Sequence, residues 1–380
     1  MKAFIYHSKY QTKKQTKLCT THRIKHQVRL QGVRNAVVVV GLIMLTGCQQ
    51  EQQTMSDAVH QLHVTSAANF AQQANQLDQD FQLYCQSPTA GTLSQAKEQW
   101  STTMQAWMAL QGREKGSEAA LGLSWQIQFW PDKKNTTGRK LNQLLKQETM
   151  WHAGALANQS VAVQGLGAAE WFLYDQQSPI VQSKLSEYDK AAQVDKISAE
   201  NCSLFTAVSG RIADSSAALE QAWKVNPWQS LPVKMALGEY LGALNNQLDY
   251  TMKKLSRPLG KPGSPKVYQA ESWRSQTSMV NLKSNITAMQ QLYLANESGL
   301  DKLLRDRGYA ATADRIDKRF SALLEGWPQT PAMVPMLKTR EGYRQLLNIY
   351  NGLEYIQIAL QDEVAPELGI VVGFNATDGD

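Results

Sequence analysis

Glu170 is the single carboxylate in an otherwise apolar run, Gly165-Leu166-Gly167-Ala168-Ala169-Glu170-Trp171-Phe172-Leu173-Tyr174. The two glycines ahead of it let another segment approach closely. A charged group left unpaired in a dry interior costs several kcal/mol, so Glu170 calls for a cation, a metal or a set of donors. A His at position 167 would stand three residues before it on one helix face, with imidazole and carboxylate in reach of one metal ion. The residue there is Gly167. Glu170 therefore has three readings: ligand to a hard metal, general base, or buried acid paired with an arginine such as Arg274.

Other segments carry candidate chemistry. Phe129-Trp130-Pro131-Asp132-Lys133-Lys134-Asn135 offers Asp132, either in a site or in a solvated turn after Pro131. Glu271-Ser272-Trp273-Arg274-Ser275 offers Glu271 and Arg274, three apart at the start of a helix, where they could form an ordinary helix ion pair. The C-terminal Gly373-Phe374-Asn375-Ala376-Thr377-Asp378-Gly379-Asp380 brings Asn375, Asp378 and Asp380 together on a glycine-containing stretch. Such oxygen ligands suit a hard cation; the alternative is a polar tail anchored by Phe374.

A zinc hydrolase needs about three protein ligands and an open water position. Beyond residue 47 the only histidines are His60, His63 and His152. The first two read as solvated residues near an N-terminal tether, and His152 has no ligand-spaced neighbour. There is no H-E-x-x-H, no E-x-x-H, no G-x-S-x-G, no P-loop and no dinucleotide fingerprint. Cys85 and Cys202 have no C-x-x-C partner. They are a disulfide candidate in an exported protein, or else two buried thiols.

The elements that position these residues are helical. Phe70, Ala74, Leu77, Phe81 and Tyr84 step by four and three, as do Leu93, Ala96, Trp100, Thr103, Trp107 and Leu110. Cys202, Phe205, Ser209, Ile212, Ser216, Leu219 and Trp223 form a third stripe. If the first and third helices run antiparallel with a shared end, the two sulfurs can meet. The tryptophans Trp100, Trp107, Trp125 and Trp223 read as core. A fourth helix spans about 232–256 and stops at Arg257-Pro258-Leu259-Gly260-Lys261-Pro262-Gly263-Ser264-Pro265, too rich in Pro and Gly for a helix. Helical stripes resume through Met279–Tyr293, Ile316–Trp327 and Tyr343–Leu360, while Leu368–Val372 could be a short strand or an extended tail. The expected architecture is all-α, with two packed helical bundles at 56–256 and 266–380 joined by a linker at 257–265.

The first fifty residues contain no acid and nine basic residues, followed by the twelve-residue apolar stretch Ala36–Gly47 and Cys48. That stretch is too short for a membrane span of about 20 residues and suits a signal peptide over 1–47. Leu45-Thr46-Gly47-Cys48 looks like a lipobox, which makes Cys48 the expected lipidation site and 48–55 a polar tether. By resemblance to bacterial lipoproteins, Gln49 after the Cys favours the outer membrane, facing the periplasm. Without the nine leader charges, 30 basic residues face 33 acidic ones. The basic balance belongs to the leader, and nothing beyond it suggests nucleic-acid binding.

Taken together, the segments around Asp132, Gly165–Tyr174, Glu271–Ser275 and Gly373–Asp380 resemble the imelysin family, whose members carry G-x-H-x-x-E or a related G-L-x-A-x-E element and often end in Gly-Phe-Asn and Asp-Gly-Asp. The resemblance implies an all-helical fold of two pseudo-symmetric four-helix bundles with a site in the cleft between them, and an association with iron acquisition. Gly167 departs from the family's histidine. The expected function is therefore a cell-envelope binding or accessory protein that holds iron, haem or another hard cation, with Glu170, Asp132, Glu271, Arg274 and the C-terminal acids around the ligand. The alternatives are a metal-dependent peptidase using Glu170, and a protein that only docks on an outer-membrane receptor or transporter.

Overall fold

The computed structural model describes residues 33–114, 117–147, 149–183 and 197–370, with side chains from Thr54 onward. The basic leader up to residue 32, the Cys48 side chain, and Asn375, Asp378 and Asp380 lie outside the described residues. The chain divides after Cys48, and both the helix packing and the candidate site belong to the unit from Gln49.

Among the described residues ten helices reach ten residues or more: α1 (Val33–Gln86), α2 (Ala90–Met108), α3 (Glu118–Ile127), α4 (Thr136–Leu145), α5 (Gly165–Tyr174), α6 (Ala199–Ala222), α7 (Val233–Leu259), α8 (Ser278–Leu294), α9 (Ala310–Glu325) and α10 (Arg340–Ile358). No strand occurs among them, and the fold is all-α. The last described residues close a helical turn, Ala365–Leu368, with Gly369 left-handed, so Leu368 does not start a strand. Nor does any described helix have the length and apolarity to cross a membrane.

Two groups of four long helices form. In the first, α5 packs on α2 and α6, while α1 reaches α2 through Phe70 and Trp107 (5.5 Å between rings) and α6 through stacked Phe81 and Phe205 (3.8 Å). In the second, α7 packs on α8 and α10, and α9 on α8 and α10; α8 also lies against α2 and so joins the groups. The periodic stripes are the core: Phe70, Ala74, Leu77, Phe81 and Tyr84 are fully buried, as are Leu241, Leu248 and Leu255 of α7.

Three expectations are corrected. Residues 49–55 are part of α1, with Met55 buried, because Gln, Glu and Met favour helix and no Gly or Pro interrupts them. Helix α7 continues through Pro258 to Leu259, since a proline one residue from the end forfeits only the bond to the Lys254 carbonyl. Gly260, at φ 56°, then ends it, and Lys266 N–H returns to the Pro258 carbonyl at 2.8 Å. Because α7 packs on α8 and α10, the second group begins at Val233, well before the Pro/Gly segment. Finally Trp125 is 53 % exposed: Ala120 and Ile127 supply the buried face of α3, and Trp125 lies off it.

Cys85, near the end of α1, and Cys202, in the first turn of α6, are disulfide-bonded across 117 residues of sequence. Closing so long a loop restricts the unfolded chain, an effect of about 2–4 kcal/mol. Replacing both by Ser is expected to lower stability by about that amount in urea unfolding at unchanged helical circular dichroism.

His63 is not solvated. It is fully buried on α1, donates from Nδ1 to the Val59 carbonyl at 2.8 Å, and lies against Trp223 (4.3 Å) and Trp228 (5.3 Å). Burial foremost, then the positive charge of Arg113, holds its pKa down to about 3. The unfolded imidazole, near 6.5, takes up a proton that the folded one refuses. Stability from this group is thus complete above pH 6.5 and is lost as pH falls toward 3. The His63→Gln variant is expected to show a flatter decline of unfolding free energy over that window.

Candidate functional site

Helix α5 begins beneath the end of α3. Gly165 has φ +71°, and a Cβ there would stand 2.3 Å from the Ile127 carbonyl oxygen and 2.4 Å from that of Gln126. Only glycine allows so close a crossing. At Gly167 a Cβ would meet nothing nearer than the Phe129 carbonyl oxygen at 3.8 Å. One turn further on, Glu170 is 5 % exposed.

The partner of Glu170 is Ser275. Its N–H and its hydroxyl both donate to Glu170 Oε1, each at 2.9 Å. Arg274, the expected partner, instead pairs through Nε with Asp175 Oδ2 (2.7 Å) and donates from Nη2 to Asn135 Oδ1 (2.7 Å), its guanidinium 4.5 Å from the Trp273 ring centre. The reason is local. Residues 271–276 are turns, with Ser272 and Gln276 at positive φ, and α8 starts only at Ser278. Burial raises the Glu170 pKa, with Arg274 and the Ser275 donors opposing it.

For the same reason Glu271 and Arg274 are not a helix ion pair. Glu271, also buried, accepts at Oε1 from Gln128 (2.9 Å) and Gln111 (3.3 Å) and pairs through Oε2 with Lys254 at 2.8 Å. Lys254 is fully buried on α7 and donates to Asn285 Oδ1 of α8 at 2.7 Å. Burial lowers its pKa and Glu271 works against that. Beside this pair Arg113, whose pKa burial holds down to about 9, donates to Gln247 Oε1 (2.7 Å) and to the Ala288 carbonyl. These polar contacts fasten the two helix groups together.

Asp132 is half-buried and not free, and it stands ahead of an exposed turn at Lys133 and Lys134. Its two oxygens accept the N–H groups of Thr136 (2.6 Å) and Thr137 (2.9 Å) at the start of α4, where a carboxylate opposes the helix dipole. Asn135 caps the same helix through Gly138 N–H at 3.3 Å.

Asp132, Glu170 and the Glu271/Arg274 segment, three stretches distant in sequence, all line one cleft of about 40 Å³, together with Trp100 and Gln128. Next to it lies a chamber of about 530 Å³. Asp132, Tyr268, Trp273 and Arg274 are common to both linings. Ser275, Asp175, Gln128, Gln111 and Lys254 were not among the expected site residues. Of these only Asp175 had a sequence signal, as the charge that directly follows the apolar run ending at Tyr174.

Among the described residues the cleft offers no ready-made metal cage. No three His, Cys, Asp or Glu side chains among them come together in a metal-holding arrangement. Glu170 Oε1 and both oxygens of Glu271 already face nitrogen or hydroxyl donors.

Residues 63–360 match the sequence profile described as Peptidase M75, imelysin. The chain belongs to the imelysin family. An imelysin-like protein from Psychrobacter arcticum 273-4 shares the fold at TM-score 0.67 and 19 % identity, over 86 % of this chain and 98 % of that one. A Parabacteroides distasonis ATCC 8503 protein, assigned as an iron-regulated protein A precursor, follows at TM-score 0.57 and 15 % identity, over 84 % and 94 %. No curated protein matches the chain. Within this imelysin fold Gly167 and Glu170 both line the cleft, and a Cβ at Gly167 would meet nothing nearer than 3.8 Å.

Proposed function

We propose that this imelysin-family protein is a lipid-anchored component of the cell envelope that binds a ligand in support of iron uptake and does not cut peptides. The observation that carries the reading is the convergence of Asp132, Glu170, Glu271 and Arg274 on one cleft, with each charge held by fixed partners. Such a preset polar wall selects a bound group without offering a nucleophilic water on a metal. Two further features support the setting: the lipobox-like Leu45-Thr46-Gly47-Cys48, and a disulfide suited to an oxidising compartment. The name of the Parabacteroides neighbour is in keeping with a link to iron.

Calorimetry on the processed protein with ferric ion, ferric citrate and haem tests the reading. Binding of one of these, weakened by Glu170→Ala, is the expected result. Chelator-sensitive cleavage of a denatured protein, abolished by Glu170→Gln, would establish the peptidase instead. Silence toward every probe, with recovery of an outer-membrane transporter in a pull-down, would leave a docking protein.

A further inference from the structure

The cleft around Glu170 has room for a few waters or one ion, since a single water needs roughly 10–15 Å³ of such space. Small-molecule pockets run to about 300–1,000 Å³, a size that the adjoining chamber of about 530 Å³ reaches. The body of any organic ligand must therefore sit in the chamber, and the chamber's charge decides what that ligand is.

Among the described residues, the chamber's charged lining is Lys133, Lys134, Lys266 and Arg274, with Asp132 as the one acid. Asp132 is already satisfied by two backbone N–H groups of α4. The three lysines are exposed, and none forms an ion pair or side-chain hydrogen bond with a described residue. Arg274 is fixed through Nε and Nη2, while its Nη1 makes no hydrogen bond to a described residue. Tyr268, 69 % exposed, and Trp273 meet edge to face at 4.9 Å and give the chamber an aromatic wall. Unpaired ammonium groups around a concave, aromatic-walled space favour an anion with an apolar body.

We propose that this chamber binds a small organic polyanion, carrying two or more carboxylate or phosphate groups, with its charges on Lys133, Lys134, Lys266 and Arg274 and its carbon frame against Tyr268. This rests on the ligand-binding reading above and names the ligand class.

The test titrates the full protein calorimetrically with citrate, pyrophosphate and benzene-1,3,5-tricarboxylate, and with inositol as a neutral control. Binding of at least one anion and none of inositol is expected. The triple variant Lys133→Ala/Lys134→Ala/Lys266→Ala touches only exposed side chains and should fold normally. Each exposed charge contact contributes modestly, so the triple loss is expected to weaken binding about tenfold. Tyr268→Ala should weaken the aromatic tricarboxylate more than pyrophosphate. The preference among the three probes distinguishes a carboxylate from a phosphate ligand. No binding of any anion, equal binding of inositol, or full affinity in the triple variant would overturn the proposal. Loss in the triple variant with full retention in Glu170→Ala would uphold the chamber and overturn the role given to Glu170. The reverse pattern would do the opposite.

Discussion

Replacing Glu271 by Ala is expected to lower the unfolding free energy by about 3–5 kcal/mol, because it strands a fully buried ammonium. Lys254 has no route to solvent, and its compensation is the Glu271 carboxylate at 2.8 Å plus the Asn285 amide oxygen at 2.7 Å. Burial already lowers the Lys254 pKa, with Glu271 as the main opposing influence, so the variant's lysine should fold neutral. The unfolded chain would then bind one more proton than the folded one below the ordinary lysine pKa. Stability of Glu271→Ala should consequently rise with pH through that range, and its deficit against the native protein should shrink. Urea unfolding at neutral pH and near pH 9.5 measures both effects. The double variant Glu271→Met/Lys254→Met removes both charges together and is expected to be more stable than Glu271→Ala, as replacing a buried pair costs less than breaking one. Equal stability of Glu271→Ala and the native chain would mean that the pair does not hold α7 to the turn at 271.

Gly165→Ala is expected to cost about 3 kcal/mol or more. A left-handed backbone carries a penalty of about 1–2 kcal/mol for a residue with Cβ, and overpacking adds about 1–3 kcal/mol. Here the Cβ would fall 2.3 Å and 2.4 Å from two carbonyl oxygens of the α3 end. Neither is a flexible side-chain tip, so the backbone must move. That movement would shift the start of α5 and with it Glu170, one turn on, away from Ser275. Gly167→Ala provides the contrast. Its nearest neighbour is at 3.8 Å, and an alanine within a helix is favoured over glycine by about 0.5–1 kcal/mol. The pair of variants, compared by thermal unfolding and by ligand titration, should therefore move in opposite directions in stability. A tolerated Gly165→Ala would mean that α3 can retreat from α5.

Which residues share a helix face is fixed by chain-local periodicity, and those stripes could be read without a structure. Phe70 to Tyr84, Leu93 to Leu110 and Phe205 to Trp223 supply the interior of the first group as their three-and-four spacing implies. Trp125, read as core with the other tryptophans, is exposed instead. The joining of Cys85 to Cys202 was available only as a condition on two helices sharing an end, which the packing of α1 on α6 satisfies.

The site divides in the same way. That Glu170 must have a partner follows from one carboxylate in an apolar helix, since burial of an unpaired charge is prohibitive whatever the fold. Which partner it takes does not follow. The turn at 271–276 aims Ser275 at Glu170 and sends Arg274 to Asp175 and Asn135, and no local pattern distinguishes that turn from the start of a helix. Lys254 is buried opposite Glu271 because α7 packs on α8 and the turn at 271–276, just before α8, brings Glu271 against it. The sequence by itself thus determined the helices, their buried faces and the need to neutralise Glu170, all of which depend on neighbours within a few turns. Tertiary structure alone decided how the charges are paired and that four candidates from three distant segments share one cleft, because those outcomes depend on which helix ends meet across the fold.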